Sequence, residues 1–290
     1  MTIETLTPPK AANRLNRILE TVSSAHDLNR FPVDIQSLAL GTGAVFGWKD
    51  NIAEIQSANI PGFEGCLISN DQKSNWYILY NNSIKSTGRI RFTQAHELGH
   101  YILHRFQKDS FECVSAADMY NLSTEDKDIE SEADEFASYL LMPFNDFRSQ
   151  INESVDLDNF GHCADRYGVS MTAAILRWLE ITDVKAVLII SRSGFMKWAW
   201  SSKSAFKAGA FFKTRQNTIP IPSDSIAAND SIRNERKGVI IPGKIWFKHA
   251  ESVMTLKEMK ILSDNFDYII TLLILPSVSE VWPEKLWQNT

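Results

Sequence analysis

Cysteine is scarce in this chain and poorly placed for a framework. The three cysteines, Cys66, Cys113 and Cys163, stand far apart among 290 residues, with no Cys-x-x-Cys pair. That excludes a disulfide scaffold or a cysteine zinc knuckle and fits a reducing compartment. Long apolar runs are missing as well. No segment reaches the roughly 18 consecutive apolar residues of a membrane helix, and the longest run near the end, 268–276, has the length of a strand. Residues 1–10 lack a basic stretch followed by an apolar one, so no secretory signal is expected and a cytoplasmic location is. A basic excess is lacking too: 30 Lys and Arg stand against 35 Asp and Glu, a net charge of -5. A chain-wide nucleic-acid-binding face is therefore not expected. There is neither an internal repeat nor a low-complexity tract.

What is present is the composition of a folded protein, 44% hydrophobic and 22% charged, with length enough for two domains. Residues 11–29 space Leu15, Ile18, Leu19 and Val22 as an amphipathic helix, which Phe31-Pro32-Val33 breaks. Between 45 and 81, short apolar runs separated by Pro61-Gly62 and Ser69-Asn70-Asp71 predict strands, of which 76–80 is the clearest. Thr93 is placed to cap a helix over about 94–105, and Ser123 or Thr124 a second one ending at Leu141-Met142-Pro143. Its first turns carry Glu125, Asp126 and Asp128, which suit the positive end of a helix dipole. Residues 158–180 predict two more helices around Tyr167-Gly168-Val169-Ser170. Beyond Asp183 strand-like runs dominate (186–191, 197–200, 239–247, 268–275), and five of eight tryptophans lie at or after 198.

The chemistry centres on His96-Glu97-Leu98-Gly99-His100. Residues four apart on a helix share a face about 6 Å apart along the axis, so two imidazoles can hold one ion. Glu97 lies about 100° round the helix, beside the ion, where a carboxylate can take a proton from an attacking water. The plain alternative is a surface helix with two solvated histidines. Against it, Phe92, Ala95, Leu98, Ile102 and Leu103 give the helix apolar faces that predict burial.

A catalytic zinc site needs a third protein ligand. His104 continues the series 96, 100, 104, but a straight helix carries it about 12 Å past His96, too far for one ion, so it is expected behind a ligand or at the helix end. A histidine six residues after the second ligand is ruled out by Phe106. The better candidate is Glu130 in Glu130-Ser131-Glu132-Ala133-Asp134-Glu135-Phe136-Ala137. Small Ala133 and Ala137 let this helix approach the first, and Asp134, one turn from Glu130, is placed to hold a ligand histidine by its ring N–H. Glu132 is the fallback; the plain reading of all these acids is a solvated face. No residue stands out as an oxyanion partner, and Tyr80 and Tyr101 are left unassigned.

Arg91-Phe92-Thr93-Gln94-Ala95-His96-Glu97-Leu98-Gly99-His100, then His104, then Glu130-x-x-Ala133-Asp134-x-Phe136-Ala137-x-x-Leu140-Leu141-Met142-Pro143 closely resembles the ImmA/IrrE family of metallopeptidases. The likeness covers roughly 31–202, more weakly toward its end. It implies zinc held by His96, His100 and Glu130, with Glu97 as the catalytic base. It also implies a cytosolic protease that cleaves helix-turn-helix repressors and so releases stress or mobile-element genes.

The chain is accordingly read as α+β: a zincin-like metallopeptidase domain over 1–155, a helix-turn-helix-like helical module over 156–182, and a strand-rich C-terminal domain over 183–290 that senses a signal or partner. The expected partner is a protein substrate, the repressor; direct DNA contact by the module is disfavoured because Arg166 and Arg177 stand among Asp165 and Glu180. Strand 76–81 is expected to be the edge on which an extended substrate pairs. The rival reading is a metal-containing regulator that binds DNA, an effector or a partner without proteolysis.

Overall fold

The computed structural model describes residues 6–59, 62–114, 124–152, 154–263 and 267–283. Ser123, Pro61 and Trp287, to which the sequence assigns a cap, a turn and part of the tryptophan cluster, lie outside them. The chain divides into two compact units, one of residues 1–150 and 163–170, the other of 151–162 and 171–290. Helices and sheets mix in an α+β arrangement, with two sheets of four and five strands.

The first unit opens with α1 (Pro8–His26), which starts earlier than expected because prolines suit the first turn of a helix. It buries Ala11, Ala12 and Leu15. An unexpected helix, α2 (Ile35–Phe46), follows, capped by Asp34, whose side chain accepts from Ser37 N. Its two glycines, Gly41 and Gly43, disguise it, and Gly43 explains why one is there: a Cβ would sit 1.8 Å from Asn51 Oδ1.

The four-stranded sheet comprises β1 (Asn51–Ala58), β2 (Phe63–Ser69), β3 (Asn75–Asn81) and β4 (Ser110–Val114), in the order β1-β3-β2-β4. β1 runs parallel to β3, while β2 is antiparallel to both of its neighbours. This corrects the expected edge. β3 is bonded on both sides, and Trp76 and Ile78 are 2% and 0% exposed, as an interior strand requires. Among the described residues the edges are β1 and the short β4, which 76–81 could not reveal because β4 arrives only after the next helix.

That helix, α3 (Thr87–Leu103), starts two turns before the expected Thr93, with Ser86 as its cap. Thr93 is buried inside it. Gly88 masked the true start; a Cβ there would come within 2.9 Å of the Val169 backbone. The partner α4 (Thr124–Leu141) lies where expected, and buries Ala133, Phe136, Ala137, Leu140 and Leu141. A short α5 (Phe144–Gln150) follows. The turn expected at the centre of the helical module has Gly168 at φ 60, and its carbonyl accepts from Arg91 Nη1 at 2.8 Å.

Around that turn run α6 (Leu157–Tyr167) and α7 (Met171–Ile181). The second unit is built on an antiparallel sheet, β6-β5-β9-β8-β7, from β5 (Ala186–Arg192), β6 (Phe195–Ser201), β7 (Asn234–Pro242), β8 (Thr255–Ser263) and β9 (Tyr268–Ile274), with a one-turn α8 (Lys203–Lys207). The run expected over 239–247 leaves the sheet at Pro242 and turns as a 3-10 helix over Gly243–Ile245. β8 was hidden by charge: Glu258 and Lys260 are 0% and 2% exposed. Glu258 accepts from Trp246 Nε1 at 2.8 Å and Ala227 N at 2.7 Å, and Lys260 donates to the Asn229 carbonyl. Partnered in this way, buried charges are tolerated. Val187, Ile189, Leu256, Leu273, Trp246 and Phe247 form the core of this unit.

Candidate metal centre

α3 is buried along the whole stretch from Thr93 to Ile102, so both motif histidines are fixed by packing. α4 crosses it closely because the contact is made of small residues. A Cβ on Gly99 would meet Phe136 Cδ1 at 3.0 Å and Ala133 Cα at 3.3 Å. This closeness brings Glu130 to the histidines. His96 Nε2 lies 2.9 Å from His100 Nε2 and 3.1 Å from Glu130 Oε2, and His100 Nε2 lies 3.4 Å from Glu130 Oε1. The three donor atoms all fall within 4.8 Å of one another.

The far side of each ring is held as well. His96 Nδ1 is 2.9 Å from Asp134 Oδ1. His100 Nδ1 is 3.1 Å from His104 Nδ1, and His104 Nε2 is 2.9 Å from Glu132 Oε2. One proton assignment satisfies these three outer pairs. His96 donates from Nδ1 to Asp134, His100 donates from Nδ1 to His104, and His104 donates from Nε2 to Glu132. Both Nε2 lone pairs are then left facing Glu130. Phe111 of β4 stacks on the His100 ring at 4.7 Å and closes that side.

Charge states follow from the surroundings. Burial drives the His100 ring toward neutrality, down to about 4. Burial opposes ionisation of Glu130, but its bonds to His100 and His96 outweigh this and hold it at about 2. His100 beside ionised Glu130 is thus in the donor state a divalent ion requires, whereas His96, which burial lowers but Cys113, Asp134 and Glu130 together raise well above its ordinary value, has to release a proton as an ion binds. Glu97 adds the clearest sign of a missing partner. It is 0% exposed, and neither carboxylate oxygen has a hydrogen bond. A carboxylate so placed is costly unless a cation or an ordered water completes it. Burial pushes this carboxyl up to about 8, with the charge of Glu130 acting the same way and His96 against it. The residues present therefore fit a metal ion.

Of the residues singled out in the sequence, His96, His100 and Glu130 come together, Glu97 lies beside them and Asp134 behind His96. Glu132, the fallback ligand, is engaged by His104 instead. Tyr101 is turned away, its hydroxyl donating to the Asp50 carbonyl at 2.9 Å. His104, expected behind a ligand or at the helix end, does sit behind His100 at the C-cap of α3; sequence reasoning missed its link to Glu132. It also missed Phe111 and Cys113, which reach the site from a five-residue strand too short to show a period. Asp134→Ala is expected to weaken metal affinity about 10–100-fold with the fold intact, since this carboxylate orients His96. Competition with a chromogenic chelator measures it.

Comparison with known proteins agrees with this geometry. Residues 53–179 match the peptidase family described as the IrrE N-terminal-like domain. No curated protein matches the chain. Among the described residues no helix is long and apolar enough to cross a membrane. Over residues 53–179 the chain thus carries an IrrE N-terminal-like peptidase domain, consistent with the ImmA/IrrE family of metallopeptidases.

Proposed function

We propose that this protein is a zinc-dependent endopeptidase that makes one cut in a flexible segment of a helix-turn-helix repressor, lifting repression of stress or mobile-element genes. The observation that carries the catalytic part is the unpartnered, fully buried carboxylate of Glu97 beside a His96–His100–Glu130 donor set. Two nitrogens and one carboxylate are a donor set typical of catalytic zinc, which keeps a position open. A zinc ion held there would supply Lewis acidity, polarising a carbonyl and lowering the pKa of a water to about 7.

The chain's own residues do the rest. Glu97 accepts the proton of the attacking water and returns it to the leaving amine. Asp134 and the His104–Glu132 pair keep the two rings in the tautomer that leaves Nε2 free. An extended peptide can pair with β4, whose outer edge is bonded to no strand among the described residues and whose Phe111 packs on His100. Backbone pairing selects an unfolded linker over a folded domain, because only a linker offers free N–H and C=O groups. The chain's net charge of -5 adds a modest attraction to basic partners such as DNA-binding proteins. The strand-rich unit, which holds no catalytic group, is read as the part that recognises a signal or partner.

A regulator with a purely structural metal is the rival, and the position of Glu97 argues against it, since a closed structural site needs no base. Co-expression with the repressor encoded beside this gene, followed by mass analysis of its fragments, tests the proposal. Cleavage at one linker site is expected. A repressor that binds but stays intact with metal and inducing signal present favours the rival.

A further inference from the structure

Cys113 has no part in the reaction above, yet its Sγ lies within 4.8 Å of a ring nitrogen of His96 and a carboxylate oxygen of Glu97. The strand register puts it there. Cys113 pairs with Gly65 and Phe111 with Leu67, so Cys113 and Phe111 share one face of β4. Phe111 stacks on His100, which makes this the face turned to α3. Gly65 keeps the approach open, since a Cβ on it would come 2.9 Å from Glu97 Oε1 and 2.4 Å from Thr93 Cγ2.

The space between His96 and Glu97 is where a three-ligand site keeps its open position, because the attacking water must touch both metal and base. Glu97 points into it, buried and without a partner. Cys113 reaches the same space from β4 and ends in sulfur, and thiolate is a preferred ligand of zinc.

We propose that Cys113 is a removable fourth ligand of the bound metal: its thiolate closes the position beside Glu97 in a resting form and leaves it when an incoming chain pairs with β4 and draws it outward. This rests on the metallopeptidase reading and adds to it the means of silence that a cytosolic protease needs. The two donor groups share His96 without merging into one of four, so ligation draws β4 inward. That movement is open to a five-residue strand paired to β2 alone among the described residues. Ligation exchanges a water for sulfur and releases the thiol proton to solvent; opening reverses both.

The full chain loaded with Co²⁺ is the test, because a thiolate ligand gives cobalt a near-ultraviolet charge-transfer band that nitrogen and oxygen ligands do not. The parent chain should bind one cobalt and show the band. Cys113→Ala and Cys113→Ser should keep the cobalt and lose the band, and hydrolysis of an unstructured protein should rise in both. Cys66→Ala should change nothing. One bound cobalt without the band, or a band that survives both Cys113 variants, overturns this proposal and leaves the metallopeptidase reading standing. Failure of the parent chain to bind cobalt, or binding that is indifferent to His96→Ala and Glu130→Ala, overturns both.

Discussion

Glu97→Gln should hold the same metal as the parent chain and hydrolyse its substrate about 10²–10⁴ times more slowly, the usual contribution of a positioned general base. The amide fills the same volume but cannot take a proton. The substitution should also reveal what the carboxylate costs. Glu97 is buried without a partner, and its folded pKa of about 8 lies above the ordinary 4.5. A raised carboxyl favours the folded state below its unfolded value, and that advantage is lost as pH rises through the folded one. In metal-free protein, therefore, the stability of the parent relative to Glu97→Gln should fall between about pH 4.5 and 8. Thermal unfolding of both forms across that range measures it; a constant difference would mean that Glu97 is not buried as described. Proteolysis that survives the substitution would point to a contaminating enzyme.

Gly99→Leu should cost both stability and metal. The missing side chain is what lets α3 and α4 touch, with Phe136 and Ala133 at 3.0 and 3.3 Å from the position a Cβ would take. Overpacking a tight contact typically costs about 1–3 kcal/mol. Here the strain has a direction. Pushing α4 outward withdraws Glu130 from its 3.1 and 3.4 Å approaches to the histidines, so zinc affinity should drop along with the midpoint of chemical denaturation. Gly99→Ala is the milder control: better helix propensity, by about 1 kcal/mol, offsets much of the contact strain. A leucine variant with unchanged zinc affinity would show that the helices can separate without disturbing the ligands.

Most of this site could be read before any coordinates, because its logic is helical. Spacing of four put His96 and His100 together, and Ala133 and Ala137 marked the face on which α4 could come close enough for Glu130 to join. Asp134 followed from the same face. What escaped notice came from elements whose local signals are weak or contradictory. α2 carries two glycines, one required by Asn51. α3 has a glycine, Gly88, in its first turn pressed against Val169, so a buried threonine looked like its cap. β8 alternates apolar residues with a buried Glu258 and Lys260, and no pattern of polarity reveals that they face inward. Sheet order is the remaining gap. Which strand ends up at an edge depends on pairings remote in sequence, so β3 was mistaken for the edge that β4 occupies, and Cys113 was passed over with it.

The metal count per chain, taken by native mass spectrometry on the purified full-length protein and its single variants, tests the central claim most directly. The account predicts about one zinc per chain for the parent, as a three-ligand site requires. It predicts retention in Glu97→Gln and Glu132→Ala and sharp loss in His96→Ala, His100→Ala and Glu130→Ala. Full zinc in Glu130→Ala, with loss in Glu132→Ala instead, would contradict it.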